Sequence, residues 1–109
     1  MKQKVILKGI AASVGIASGI VKIVNGVKDS PYFKDGYILV AEITEPSMVI
    51  MMNKAAAIVT DKGGITSHPA IVSRELGIPC VVATKTATKV LRDGMKVKVN
   101  GAKGVVYAV

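Results

Sequence analysis

The chain has no tryptophan, one phenylalanine, one histidine and one cysteine. Each shortage excludes something. With one Phe and three Tyr as its whole aromatic content, the core must be aliphatic, built from Val, Ile, Leu, Ala and Met. A lone cysteine, Cys80, allows no internal disulfide. Within Ile78-Pro79-Cys80-Val81-Val82 it reads as a small buried hydrophobe. A lone histidine rules out a His-rich metal centre, and no metal site is expected. No apolar run reaches the ~18 residues of a membrane span. The apolar run after Met1-Lys2-Gln3-Lys4 is too short for a signal peptide, and Lys8 breaks it. Together these absences predict a cytoplasmic protein with no membrane partner.

Acidic residues are also scarce, 7 against 15 Lys and Arg, for a net charge of +8. That balance suits anionic partners. The basic residues are scattered, however, from Lys4 and Lys8 to Lys96, Lys98 and Lys103, with no run among them. No aromatic platform accompanies them, as a surface for single strands requires. The charge therefore reads as a solvated surface and points away from nucleic acid. A length of 109 residues suffices for one core, so residues 1–109 read as a single domain.

What the chain does contain is Gly63-Gly64-Ile65-Thr66-Ser67-His68-Pro69, which holds its only histidine. Apolar residues at 71, 72 and 76 then form a partial helical stripe. Gly77 supplies a helix stop, Pro79 confirms it, and Pro69 suits the first turn. Ser67 or His68 caps the start. A helix N-terminus offers free N–H groups and partial positive charge, which favour phosphate. A neutral imidazole keeps a lone pair that attacks phosphorus. A phosphoryl group on His68 would find backbone N–H groups and the hydroxyls of Thr66 and Ser67 nearby. Gly63 and Gly64 let the backbone come close or take positive φ. The same residues also admit a plainer interpretation, with His68 structural, the glycines a turn and the hydroxyls caps.

Taken in order, residues 4–8 predict a strand. The stretch 9–19, rich in Gly, Ala and Ser, lacks the GxxxxGK[ST] phosphate-loop pattern and reads as turns. Ile20–Val24 predicts a strand closed by Asn25-Gly26, and residues 28–36 a surface loop. Tyr37–Ala41 predicts a buried strand. Thr44-Glu45-Pro46 opens a helix with a Met48, Val49, Met52, Ala55 stripe, its methionines serving as core packing. Ala56–Thr60 and Cys80–Ala83 predict further strands on either side of the histidine helix. This alternation implies a parallel core with His68 at the carboxyl end of a strand. A short helix over 86–91 and a hairpin of Met95–Val99 with Gly104–Val109 complete an α/β fold with an added antiparallel hairpin layer.

The run Gly63 to Pro79 resembles the signature of the mobile phosphohistidine domain of PEP-utilising enzymes, the family of phosphoenolpyruvate synthase, pyruvate phosphate dikinase and enzyme I. Ala55–Lys62, Thr44-Glu45-Pro46 and Gly9–Gly19 resemble it as well. The resemblance implies a swivelling β/β/α domain whose phosphoryl carrier is His68, through Nε2. It also implies a threonine at 66 that some relatives phosphorylate for regulation. Pro69 and Ile65 depart from the commonest residues, and Ala83-Thr84 replaces a frequent Gly. In such enzymes the domain moves between a nucleotide site and a pyruvate/PEP site on other domains. The pyruvate/PEP domain is a β/α barrel needing ~250 residues, more than this chain contains. The resemblance thus implies separate ATP-binding and pyruvate/PEP-binding subunits or domains as partners. They would hold Mg²⁺ and ATP, and this chain would bind no cofactor. The start at Met1 favours a complete small protein over an excised domain. The competing expectations are a non-catalytic interaction module, a basic nucleic-acid-binding protein, and a small phosphotransferase with its own nucleotide site.

Overall fold

The computed structural model describes residues 3–109. Met1 and Lys2, which begin the stretch considered above for a signal peptide, lie outside the described residues. The strands are β1 (Lys4–Lys8), β2 (Ile10–Ser13), β3 (Ile16–Ile23), β4 (Ile38–Ala41), β5 (Ala57–Thr60), β6 (Cys80–Val82), β7 (Lys96–Asn100) and β8 (Val105–Ala108). The α-helices are α1 (Val49–Met52), α2 (His68–Leu76) and α3 (Ala87–Val90), with 3₁₀ segments at Val27–Tyr32 and Pro46–Met48.

The strand order is β1-β8-β7-β3-β4-β5-β6-β2. Strands β3 to β6 pair in parallel. On one side, β1, β8 and β7 continue antiparallel from β3. On the other, β2 closes antiparallel on β6. Strand β3 serves both parts. Its residues Ile16–Ile20 pair with β7, and Val21–Ile23 pair with β4.

Side-chain alternation divides the core into two clusters on opposite faces of the parallel strands. Ile38, Val40, Ala57, Val59 and Val81 pack with Leu7, Val97, Val99 and Val106 of the antiparallel part. The intervening residues Leu39, Ala41, Ile58, Cys80 and Val82 pack with Met48, Met51, Met52 and Ala70 of the helical layer. The result is sheet on sheet with α1 and α2 on the outer face, the β/β/α arrangement, while Ala87 of α3 and Leu91 after it pack into the cluster between the sheets. The methionines are core, as their spacing suggested. Both clusters are almost wholly aliphatic.

Several expectations need correction. Residues 9–19 are mostly strand, not turns. Gly, Ala and Ser have weak β-propensity, but here small size is what the pairing needs. A Cβ at Gly9 would lie 2.3 Å from the Val82 carbonyl oxygen, and one at Gly19 would lie 2.6 Å from that of Gly36. Residues 28–36 are not simply a surface loop. They include the Val27–Tyr32 segment, and Phe33 is buried and packs edge-on against Tyr37, with ring centroids 5.5 Å apart. On α2, only Val72 of the predicted stripe packs against the core. Ile71 and Leu76 are exposed, while Pro69, Ala70 and Ser73 are buried. Small residues let the helix lie close to the sheet, and Ile71 and Leu76 face outward.

Strand β6 ends before Ala83, which has φ of 56°, and Lys85 follows at 72°. A left-handed conformation costs a non-glycine residue about 1–2 kcal/mol, whereas the extra chain entropy of glycine costs about 0.5–1 kcal/mol. Ala83→Gly should therefore stabilise the protein by about 0.5–1 kcal/mol, read as a higher urea midpoint at unchanged slope. Cys80 offers a second test. Burial pushes its thiol from 9.0 up to about 11, with the Ser73 hydroxyl and the Arg74 charge pulling slightly the other way. Because the folded value is raised, the unfolded chain ionises first, and stability falls as pH rises from about 9 to about 11. Against Cys80→Ala, the wild-type protein should lose about 2–3 kcal/mol of relative stability across that window. Parallel pH dependences for the two proteins would contradict this.

Candidate functional site

The site is built where β5 leaves the sheet. The parallel ladder runs past the strand ends, with Asp61 N–H donating to Ala41 O at 3.1 Å and Lys62 N–H to Glu42 O at 3.0 Å. The chains after β4 and β5 therefore leave side by side. Asp61 also anchors the neighbouring loop. Its carboxylate accepts from Thr88 N–H and Thr88 Oγ1, and its carbonyl accepts from Lys85 N–H at 2.9 Å.

Residues 63–67 then turn into α2. Gly63 has φ of 116°, and a Cβ there would lie 2.8 Å from Ser67 Oγ, so both freedoms expected of this glycine are used. Gly64 needs no positive φ. Its carbonyl accepts from Ser67 N–H at 3.1 Å and from Ser67 Oγ at 2.6 Å. Ser67 occupies the N-cap position in an extended conformation, but its hydroxyl points back into the loop rather than to a helix N–H. Thr66 is exposed, and its hydroxyl has no partner among the described residues. At the far end, Gly77 takes the left-handed C-cap expected of it, with φ of 72°.

His68 is the first residue of α2 and is half-buried. Its Nδ1 lies 2.8 Å from Oγ1 of Thr44, a buried residue on the segment after β4. This contact occupies one ring nitrogen and leaves Nε2 without a partner among the described residues. When Nδ1 carries the proton and donates to Thr44 Oγ1, Nε2 presents a lone pair. Thr44 thus engages Nδ1, and its hydroxyl can serve either tautomer of the ring.

Donor accounting shows what surrounds the ring. The N–H groups of residues 63–66, His68 and Ala70 have no protein partner among the described residues, and Pro69 has no N–H to give. Meanwhile the carbonyls of Thr60, Asp61, Lys62, Gly64 and Ile65 all accept hydrogen bonds. The loop into α2 is rich in free donors, which suits an anion at a helix start. The nearby cavities suit one less well. A crevice of about 340 Å³ beside Thr44 is lined by Glu42 and Glu45, whose charges repel phosphate. Another of about 430 Å³ lies along Arg74 and Gly77, toward the C-terminal end of α2, among small side chains of β2. Among the described residues no cluster of acidic, Cys and His side chains is arranged to hold a metal ion, and no helix is long and apolar enough to cross a membrane.

Two residues beside the loop carried no role in the sequence reading. Thr44 stood in a stretch of family-like sequence, but nothing in spacing links positions 24 residues apart. Arg74 reaches back along α2, with Nε donating to Ala70 O at 3.2 Å and Nη2 donating to Ile65 O.

Known proteins resemble this chain in sequence and in fold. The sequence pattern of the family described as "PEP-utilising enzyme, mobile domain" matches residues 33–104. A probable phosphoenolpyruvate synthase of Archaeoglobus fulgidus is 60% identical over 104 residues, covering 95% of this chain and 14% of that protein. The phosphoenolpyruvate synthase of Pyrococcus furiosus is 58% identical, covering 97% and 13%. This chain therefore spans about one seventh of the length of such relatives. Among solved structures, an Enzyme I protein superposes with a TM-score of 0.64 at 33% identity, over 78% of this chain and 34% of that one. Aconitase X of Thermococcus kodakaraensis superposes at 0.70 with 21% identity, over 94% and 97%, a likeness of fold alone. With the family pattern matched over most of its length, the chain belongs to the family of PEP-utilising enzyme mobile domains.

Proposed function

We propose that residues 1–109 act as one phosphoryl-carrier domain, with His68 as the carrier. The observation that carries this reading is the Thr44–His68 contact, which occupies Nδ1 and leaves Nε2 open at a donor-rich helix start. The Nε2 lone pair attacks the phosphorus of a donor. The new N–P bond forms as the P–O bond to the leaving group breaks, and the proton stays on Nδ1 beside Thr44. Delivery to an acceptor reverses these steps. Gly63 and Gly64 let the loop approach the phosphoryl group, and the free N–H groups offset its charge. Ser67 contributes by closing the loop on Gly64 rather than by offering a free hydroxyl. Thr66, exposed beside the carrier, is the proposed site of regulatory phosphorylation.

The donor and acceptor sites lie outside this chain in this reading. The similarity to much longer phosphoenolpyruvate synthases supports separate ATP-binding and pyruvate/PEP-binding domains or subunits, in the cytoplasm, holding ATP and Mg²⁺. The domain alone would then complete no catalytic cycle.

The test is intact-protein mass after incubation with PEP or ATP, Mg²⁺ and a lysate of the source cells, beside a His68→Ala control. One acid-labile phosphoryl group, absent from His68→Ala, is expected. No label, in a lysate shown active on another substrate, would overturn the carrier reading. Thr44→Val should keep the fold but release Nδ1. Its labelling should slow about tenfold or more, with imidazole ¹⁵N shifts reporting a changed tautomer ratio. Unchanged shifts and rate would remove Thr44 from the mechanism.

A further inference from the structure

We infer that Arg74 is a positioning residue of the carrier loop, acting on its peptide planes; the inference rests on the phosphoryl-carrier reading. A trans peptide points its C=O and the following N–H in opposite directions. A group that captures one loop carbonyl therefore also aims the next N–H the other way. Three side chains do this along the loop. Thr60 Oγ1 donates to Lys62 O at 2.6 Å, which sets the N–H of Gly63. Ser67 Oγ donates to Gly64 O at 2.6 Å, which sets the N–H of Ile65. Arg74 Nη2 donates to Ile65 O, which sets the N–H of Thr66. None of these three N–H groups has a partner among the described residues.

Arg74 differs from the other two. It works from one side of the loop and ties it to the body of α2, since its Nε also bonds Ala70 O within the helix. The planar fork of guanidinium spans both carbonyls at once, which a single ammonium point charge does not reproduce. The residue is exposed on the helix surface and belongs to neither core cluster, so truncating it leaves the core packing intact. The bonds to Ile65 O and Ala70 O hold the peptide between Ile65 and Thr66, two residues before His68, in a fixed orientation. Without them that peptide is free to rotate, and the donor facing an incoming phosphoryl group is lost.

The experiment uses the whole chain and potassium phosphoramidate as a small phosphoryl donor. In its ammonium form the donor gives up its P–N bond as His68 Nε2 bonds to phosphorus. Ammonia leaves with the electron pair, and the ring keeps its Nδ1 proton. Labelling is followed by mass in wild type, His68→Ala, Arg74→Ala, Arg74→Lys and Lys89→Ala, the last an exposed change away from the loop. Arg74→Ala is expected to label about tenfold more slowly than wild type, at a nearly unchanged urea midpoint. Lysine should not restore the rate, whereas free guanidinium at low millimolar concentration should restore it in part. In parallel, the amide ¹H–¹⁵N signal of Thr66 should move in Arg74→Ala and return with guanidinium. Wild-type labelling by Arg74→Ala, full restoration by lysine, or a Thr66 amide that does not move would each overturn the inference. Failure of the carrier reading looks different, because wild type and His68→Ala would then label alike while the Thr66 signal still decides the role of Arg74.

Discussion

The parallel register of β4 against β5 is the constraint from which the site follows. Ala41 stands opposite Thr60, and the ladder continues one step further on each side. That alignment brings the segment holding Thr44 alongside the loop that ends in His68. A slip of β5 by one residue would reverse each of its side chains between the layers. Ile58 would then face the antiparallel sheet and leave its cluster with the methionines of α1. The slip would also separate Thr44 from the imidazole. The hydrophobic pattern that fixes the register therefore fixes the Thr44–His68 contact too, and no separate device is needed to hold it.

Strictness in the core allows looseness at the surface. The three parallel strands β4, β5 and β6 are buried from end to end, so apart from Thr60 and Cys80 their residues are aliphatic on both faces. The candidate site lies on the segments that leave their carboxyl ends, where open sheets of this type place ligands. There the chain departs from ordinary geometry, with Gly63, Ala83 and Lys85 all at positive φ. Hydrogen bonds to Thr60 and Asp61 from the 83–86 loop hold the two loops together. The site is thus a pair of irregular loops tied to each other and to a rigid floor.

Much of this was legible in the sequence. Continuous apolar runs at 38–41, 57–60 and 80–82 announce buried strands, and the alternation at 95–99 announces a half-exposed one. Gly77 and Pro69 bound α2 as their backbone chemistry requires. The position of His68 at the helix start followed from the same signals. What was hidden depends on distant neighbours. Strands built from Gly9–Gly19 owe their pairing to tight backbone approaches that propensity does not register. The buried face of α2 uses Ala70 and Ser73, because a close-lying helix selects size over hydrophobicity. Phe33 lay in a polar stretch, and only its packing on Tyr37 reveals it as core. Thr44 meets His68 through one hydrogen bond across the fold, and Arg74 meets the loop through its bond to Ile65 O, and a linear pattern has no place to record those.

The pairing of β1 with β8 sets Lys4 opposite Ala108, so the two ends of the chain emerge beside each other from antiparallel neighbours. Any polypeptide joined at both ends would pull from almost one point. Tension applied there opens the ladder rung by rung, as a zip, rather than loading all its bonds together in shear. Such a load is absorbed in the first pairs of an outer strand. The layer that carries His68 lies several strands away and would feel little of it, so a pull on both ends would leave the Thr44–His68 contact in register.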